Sequence, residues 1–529
     1  MRLFNRILSV LLVMILVAYS GQLHAQNIQV SQWEHYTKAN SPLPSDTVSA
    51  IGFDGSGRVW IGTMSDGLAV MNGSNWSVYN DFSKVPSNDI SAITYANGSI
   101  WIGTSSGLTK TDGSSWTTFT TTNSGISDDG VWSIAQDNNH NLWLGTNWGI
   151  SKLSLDNHWS SYTDAAIPIL PSNHIQSIVS DMNGNIWTSF ISAYGMMKFS
   201  ASNPAGAVLV DQNTISNFPA DHVLSIAIDW GGNAWAATYY QGLVRTDGIT
   251  ATVYSKETDA NWISDNTRCV AIDQCGHVWV GTDHGAAVYD GSWTIHSLTT
   301  EQSINDTVNT IAVDAAGHIW FGTNGGVVIY KPMPQKPILL APQNAAELIT
   351  DTVTCKWYWD CPGIIKYWFE IADNPSFINS RIDTISATLT ESASRWDTNF
   401  VNHTVYYWRI KAKNDMGWGP YSDVWTFTFN KLGVTNNTIS PLPVTLSQNF
   451  PNPCSDMTTF RFSLRQYERV SLKLYDILGR ERASIFEGDL NPGDYSIPFN
   501  LPIPGESAVY FYRLMAGDFQ LQRTMQIMR

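Results

Sequence analysis

One short pattern recurs seven times along this chain, and it limits the available folds more than any other feature. An aliphatic residue, Trp, a second residue and then Gly-Thr stand together at Val59–Thr63, Ile100–Thr104, Leu142–Thr146, Val278–Thr282 and Ile319–Thr323. Weaker copies read Ile186-Trp187-Thr188-Ser189 and Ala234-Trp235-Ala236-Ala237-Thr238. Their Trp residues are spaced by 41, 42, 44, 48, 44 and 41 residues. A period of this size marks a repeat architecture, and four short strands fit one propeller blade. The first repeat parses into an inner strand A (Val48–Phe53), a turn at Asp54–Gly57, strand B (Val59–Thr63), a turn at Ser65–Gly67, strand C (Leu68–Met71) and an outer strand D (Trp76–Tyr79). Six of the seven repeats place Asp at the start of the A–B turn, which reads as an Asx-turn cap.

The count of strands predicts how the ring closes. The seventh repeat ends at Tyr330-Lys331-Pro332 without an outer strand, and an orphan Trp33-Glu34-His35-Tyr36 precedes the first repeat. That orphan can complete the seventh sheet and leave no open edge. The outer strands of the fourth and fifth repeats are poorly marked. The fold class expected is all-β: a seven-bladed β-propeller over 26–332, followed by two small sandwiches. The I-W-x-G-T-x-x-G-L repeats resemble the two-component-regulator-type propeller family, whose members are often extracellular sensor halves of hybrid kinases. No kinase region or later membrane span is read in this chain, so that role does not carry over.

Residues 336–430 alternate with period two between turn clusters, as at Cys355-Lys-Trp357 and Tyr406-Tyr-Trp408-Arg-Ile-Lys-Ala412. They resemble a fibronectin type III domain. A linker over 431–445 leads to 446–529, where Leu446-Ser-Gln-Asn-Phe-Pro-Asn-Pro453, Val470–Arg480 and Val509-Tyr-Phe-Tyr-Arg513 follow in order. This segment resembles the type A C-terminal sorting domain of the type IX secretion system. The resemblance implies the secretion machinery as a partner of 446–529, and export through the periplasm to the medium or outer cell surface.

The start of the chain agrees with export. Arg2 and Arg6 precede an apolar run from Ile7 to Tyr19, and Leu23-His24-Ala25 offers small-residue cleavage, so residues 1–25 read as a signal peptide. Loss of Arg2 and Arg6 takes the net charge from −15 to −17. That balance argues against nucleic acid as a partner, because phosphate contacts need a basic footprint. Five cysteines, Cys269, Cys275, Cys355, Cys361 and Cys454, are an odd and sparse set that makes no disulfide framework. They lack CxxC spacing, so no zinc, other metal or cofactor is expected.

Catalytic motifs give little. Gly103-Thr-Ser-Ser-Gly107 matches a nucleophile elbow, but a strand follows where a helix is needed. The Asp137–Asn141 and Asp181–Asn185 turns lack the later ligands of a calcium loop. The remaining candidate is the face where B–C turns meet the starts of the A strands. Its turns carry Asp66, Trp148, Tyr194, Tyr239, Tyr240, Asp283 and His284, and its strand starts carry His174, His222 and Asn266. The aromatics fall in the third to fifth repeats, and the Gly-Thr pattern breaks in the fourth and fifth of these. This predicts an aromatic and polar patch suited to a sugar ring or a peptide. The expected function is a non-enzymatic recognition protein. The rivals are an extracellular lyase or glycoside hydrolase, needing two carboxylates roughly 5–10 Å apart, and a structural adhesin without a concave pocket.

Overall fold

The computed structural model describes residues 32–191, 195–219, 222–298, 305–349, 352–358, 361, 363–386, 392–397, 400–430, 444–452, 454, 457–475, 480–500, 508–517 and 519–527. The expected signal peptide and residues 431–443 of the linker lie outside them. Every element described is a β-strand, and no described helix is long and apolar enough to cross a membrane. The chain divides into two compact units, Met1–Lys431 and Leu432–Arg529.

Among the described residues, the strands between 33 and 330 form seven four-stranded antiparallel sheets. The first runs Val48–Phe53, Val59–Thr63, Leu68–Asn72 and Asn75–Tyr79 in spatial order. The innermost strands of the others are Ile90–Ala96, Val131–Gln136, Ile175–Ser180, Val223–Ile228, Thr267–Ile272 and Val308–Val313. Each innermost strand packs against the next, and the last packs against the first, so the sheets close as a propeller ring. The orphan N-terminal strand Trp33–Tyr36 is the outermost strand of the last sheet, with Trp33 opposite Tyr330 and Tyr36 opposite Val327. Glu34 adds an ion pair to Lys331 at 2.6 Å. The two poorly marked outer strands are Asn203–Val210 and Ala251–Tyr254. Pro204 is accommodated there because an edge strand can do without one ladder donor.

The repeated Gly-Thr has two separate causes. A Cβ on Gly62 would stand 2.4 Å from Ile90 of the next sheet, and one on Gly322 would stand 2.7 Å from Val48. Glycine is therefore what lets neighbouring sheets approach. The Thr hydroxyl turns inward and donates to the carbonyl of the B–C turn glycine, as Thr63 does to Gly67 and Thr323 to Gly326 at 2.8 and 2.9 Å. The Trp has a third cause. Its indole N–H donates to the A–B turn Asp in six sheets, at 2.8 Å from Trp143 to Asp137 and 3.0 Å from Trp279 to Asp273. The other carboxylate oxygen of that Asp caps backbone N–H groups two and four residues on. In the second sheet the turn lacks Asp, and Trp101 donates to the Ala96 carbonyl instead, at 3.3 Å.

These clasps make the ring acid-sensitive. Burial works against the charge of Asp54, but hydrogen bonds from Ser56, Trp60 and Arg58 outweigh it and bring the carboxyl down to about 2. The carboxyls of Asp137, Asp229, Asp273 and Asp314 are lowered by the same balance. A lowered carboxyl in the folded state stabilises above its unfolded pKa, and that stability disappears as pH falls through the folded value. The urea midpoint is therefore expected to fall between about pH 4 and pH 2, with the Asp54 clasp contributing on the order of 1–2 kcal/mol. Asp54→Asn should shrink that pH dependence. An Asp54→Asn midpoint with the full original dependence would contradict the assignment.

Beyond the ring, Ile338–Ala341, Thr352–Tyr358 and Ser392–Asp397 form a three-stranded sheet. A larger sheet of Ala346–Leu348, Trp425–Phe429, Thr404–Asn414, Lys366–Ala372 and Arg381–Ser386 shares with it a core that includes Trp357, Phe369, Trp408 and Phe427. Contacts that join this sandwich to the ring include a hydrogen bond and a covalent bridge. The Asn414 side chain donates to the Pro332 carbonyl at 2.7 Å, and Cys275 is disulfide-bonded to Cys361. The cysteine reading thus needs correction: one bridge exists, between residues 86 apart. Cys269, Cys355 and Cys454 are free and buried.

The second unit is a separate two-sheet body. Val444–Leu446, Met457–Leu464 and Gly493–Asn500 face Glu468–Tyr475, Glu481–Leu490, Ala508–Ala516 and Phe519–Ile527 across a core of Phe460, Leu472, Tyr512 and Leu514. The buried Tyr512 hydroxyl donates to the Ser447 carbonyl and accepts from the Asn449 N–H, each at 2.8 Å.

Candidate functional site

The B–C turns and the strand-A starts form one continuous backbone-bonded surface. In each of the seven sheets the first turn residue donates its N–H to the carbonyl just before strand A, as Asn147 does to Gly130, Tyr239 to His222 and Asp283 to Asn266 at 3.2, 3.0 and 3.3 Å. The turn glycine then donates to the following sheet: Gly67 to Asn88, Gly149 to Asn173 and Gly326 to Asp46, at 3.0, 2.6 and 2.7 Å. Asp66, Trp148, Tyr239, Tyr240, Asp283, His284, His174 and His222 all belong to these turns and strand starts. Tyr194 lies outside the described residues.

Each innermost strand also carries a bulge at its second residue, which in chain order is Ser49, Ser91, Trp132, Gln176, Leu224, Arg268 and Asn309. A bulge re-aims the side chain it carries. Ser49, Ser91 and Asn309 use theirs to bond the Ile90, Val131 and Val48 carbonyls of the adjoining sheet. Trp132 does something different. Its ring stacks on His174 (5.7 Å between centroids, 25° between planes), and its indole N–H donates to Asn147 Oδ1 at 2.7 Å. Asn147 in turn donates to Asp128 Oδ1 at 3.0 Å. Burial lowers the His174 pKa, with the Asp128 charge opposing it. Its Nε2 is buried and has no partner among the described residues.

Trp148 follows Asn147 in the same turn and is 60% exposed. In the fifth sheet, Tyr239 and Tyr240 meet with ring centroids 4.0 Å apart, and the edge of Tyr239 faces His222 at 6.4 Å. Tyr240 is 63% exposed. The face therefore combines exposed rings with a neutral imidazole, the groups that recognise a ring face or a peptide group. Trp132 was not legible as a site residue, because simple strand alternation takes no account of a bulge. The signal was present, since the second position of strand A changes from Ser to Trp, Gln, Leu and Arg over the third to sixth repeats.

The acidic groups of this face sit in contrasting environments. Burial opposes the charge of Asp283, but Ser264, His284 and Asn266 hydrogen-bond to it and its carboxyl is lowered. Ser264 donates at 2.6 Å and Asn266 at 3.1 Å, and His284 Nδ1 lies 2.7 Å away. Among the described residues of this face, Asp89 has a raised carboxyl, pushed up by burial against an opposing hydrogen bond from Ser105. The sequence reading did not select it.

A cavity of about 210 Å³ opens at the other end of the ring, beside the A–B turns of the sixth and seventh sheets. Asp273, Cys275 and His277 there bring three potential metal-ligand atoms within 4.8 Å of one another. The Cys275 sulfur is committed to the bridge with Cys361, so it offers no thiolate.

The two-component regulator propeller family model matches residues 42–65, 125–148 and 302–325. No curated protein matches the chain. Among solved structures, the extracellular domain of a protein described as a hybrid two-component system of B. thetaiotaomicron is 17% identical with a TM-score of 0.50. The match covers 76% of this chain and 57% of that one. A second B. thetaiotaomicron extracellular domain of that description is 12% identical, with a TM-score of 0.46, covering 94% and 100%. PorZ, a surface component of the type-IX secretion system of Porphyromonas gingivalis, is 16% identical, with a TM-score of 0.45, covering 71% and 59%. At these identities the likeness is one of fold.

Proposed function

We propose that this is a secreted or surface-bound recognition protein. In this reading the seven sheets are the blades of a seven-bladed propeller over 26–332, and the B–C face binds a glycan or peptide. Trp148, Tyr194, Tyr239, Tyr240, His174, His222, Asp66, Asp283 and His284 make up the binding set, with Trp132 and Asn147 added. The observation that carries the reading is the arc from the third to the fifth sheet. There Trp132, Trp148, Tyr239 and Tyr240 supply ring faces, and the buried His174 Nε2 points to a hydrogen bond still to be made. A buried polar atom without a partner is costly, and a ligand group would satisfy it.

Residues 336–430 serve as a fibronectin type III-like spacer. Residues 446–529 serve as a type IX sorting domain after Sec export directed by residues 1–25. The Cys275–Cys361 bridge supports an extracytoplasmic site, because such bridges persist in oxidising compartments. The lowered and fully engaged Asp283 weighs against the hydrolase alternative.

The test is a glycan and peptide array probed with the mature chain. Trp148→Ala and Tyr240→Ala are each expected to weaken binding of a positive probe by about tenfold or more, the effect of losing an aromatic anchor. Unchanged binding in both variants would remove this face as the site.

A further inference from the structure

Five of the seven sheets carry a second regularity on the flank of the strand-B Trp. In the second to fifth sheets, the strand-C residue directly opposite that Trp is a cation: Lys110 opposite Trp101, Lys152 opposite Trp143, Lys198 opposite Trp187 and Arg245 opposite Trp235. Cross-strand partners share one side of the sheet. Each of these cations lies over its indole, 5.2, 5.0, 4.6 and 5.4 Å from the ring centroid. In the first sheet Val70 stands opposite Trp60, and Arg58 covers the ring from the turn at 5.4 Å. Two of these cations also reach the clasp carboxylate: Arg58 lies 2.6 Å from Asp54, and Arg245 lies 3.8 Å from Asp229.

The seventh sheet departs from this rule, with Ile329 opposite Trp320 and no Lys or Arg over that ring among the described residues, and so does the sixth. Val288 stands opposite Trp279, and among the described residues no Lys or Arg covers that ring. The cavity of about 210 Å³ lies there instead. Trp279, His296 and Tyr330 are among its walls, and their ring centroids are 5.5–5.9 Å apart. Asp273 and Asp290 supply carboxylates, and no Lys or Arg lines it among the described residues. Its volume is below the roughly 300–1,000 Å³ of a drug-sized cleft and suits a single side chain. An aromatic wall beside carboxylates favours a cation on an apolar stem.

We propose that the cavity over Trp279 receives a lysine side chain of a partner polypeptide, in the position that the chain's own lysines take in the second to fourth sheets. The site lies at the A–B end of the ring, where the 332–335 segment and Cys361, Ile364 and Asn414 also line it, so it stands independently of the reading of the B–C face.

The test is ligand-observed saturation-transfer NMR on the mature chain, with acetyl-Gly-Lys-Gly-amide as probe. The same peptide acetylated on its side-chain amine is the control, and n-butylammonium distinguishes a free amine from a peptide lysine. The expected result is transfer to the lysine methylenes, weakened at least tenfold by acetylation. Asp290→Asn should weaken it several-fold. Val288→Lys should place the chain's own ammonium over Trp279 and abolish it. Trp148→Ala and Tyr240→Ala should leave it unchanged. Equal binding of the lysine and acetyl-lysine peptides would overturn the proposal whether or not Val288→Lys folds. So would tighter binding of n-butylammonium than of the peptide, or an unaltered signal in folded Val288→Lys.

Discussion

A chain shortened to begin at Ser41 is expected to lose a large part of the ring's stability, although it keeps all seven inner triplets of strands. The strand Trp33–Tyr36 contributes a complete antiparallel pairing to Gly326–Tyr330. Trp33 packs against Tyr330, His296 and Phe321 at 4.6, 5.4 and 6.2 Å, and Tyr36 packs against Trp76 of the first sheet at 5.5 Å. Trp33 thus touches the sixth and seventh sheets, and Tyr36 reaches the first. Truncating a packed large aromatic costs about 3–5 kcal/mol. The two residues are half-buried, so the pair together is expected to contribute on that order. A domain's whole margin is about 5–15 kcal/mol. The shortened chain also bares the backbone of Gly326–Tyr330 as a sheet edge, which invites pairing between chains. The measurements are the urea midpoint and light scattering against the full mature chain. Trp33→Ala should give a smaller loss in the same direction. Equal midpoints for full-length and shortened chains would show that the ring does not depend on this latch.

Much of this was legible because the repeat multiplies each signal. Val48–Phe53 and Val59–Thr63 were read with the boundaries the structure has, since alternation and Asx-Gly turns agree there. The Asp of six A–B turns was read as a cap, and the structure adds the indole as a further partner of that carboxylate. The outer strand Asn203–Val210 was obscure because an edge strand needs no Trp-x-x-Tyr pattern to pair. The Trp132–His174 stack was illegible for a different reason. A bulge shifts register by one residue, and alternation extended through it puts the wrong side chain on the face. The cation rule and its exceptions at Val288 and Ile329 depend on cross-strand register, which no linear motif states. The bridge from Cys275 to Cys361 was out of reach of spacing arguments, because its partners lie in different substructures.

That bridge carries the second large effect. Cys361→Ser is expected to lower stability by about 2–5 kcal/mol, the range for closing a long loop in the unfolded chain. For a segment the size of 336–430 this amounts to a thermal transition lower by roughly 10 °C or more. Cys275→Ser should have the same effect, and the double variant should add nothing, because both changes delete one bond. A reductant should reproduce the loss in the parent chain and leave all three variants unmoved. The remaining attachments are few: Asn414 to the Pro332 carbonyl, and His318, whose Nε2 lies 3.1 Å from Asp415. The separated sandwich is therefore expected to melt as its own transition. Thiol counting supplies an independent check. Burial pushes the Cys269 thiol up to about 12 and raises those of Cys355 and Cys454. The native chain should thus show no fast-reacting thiol, and the unfolded, unreduced chain should show three of its five cysteines. Cys361→Ser frees Cys275, which is half-buried at the cavity rim, and one fast thiol should appear. Five reactive thiols in the unfolded parent, or a melting curve indifferent to reductant, would mean that the sandwich is held to the ring by packing alone.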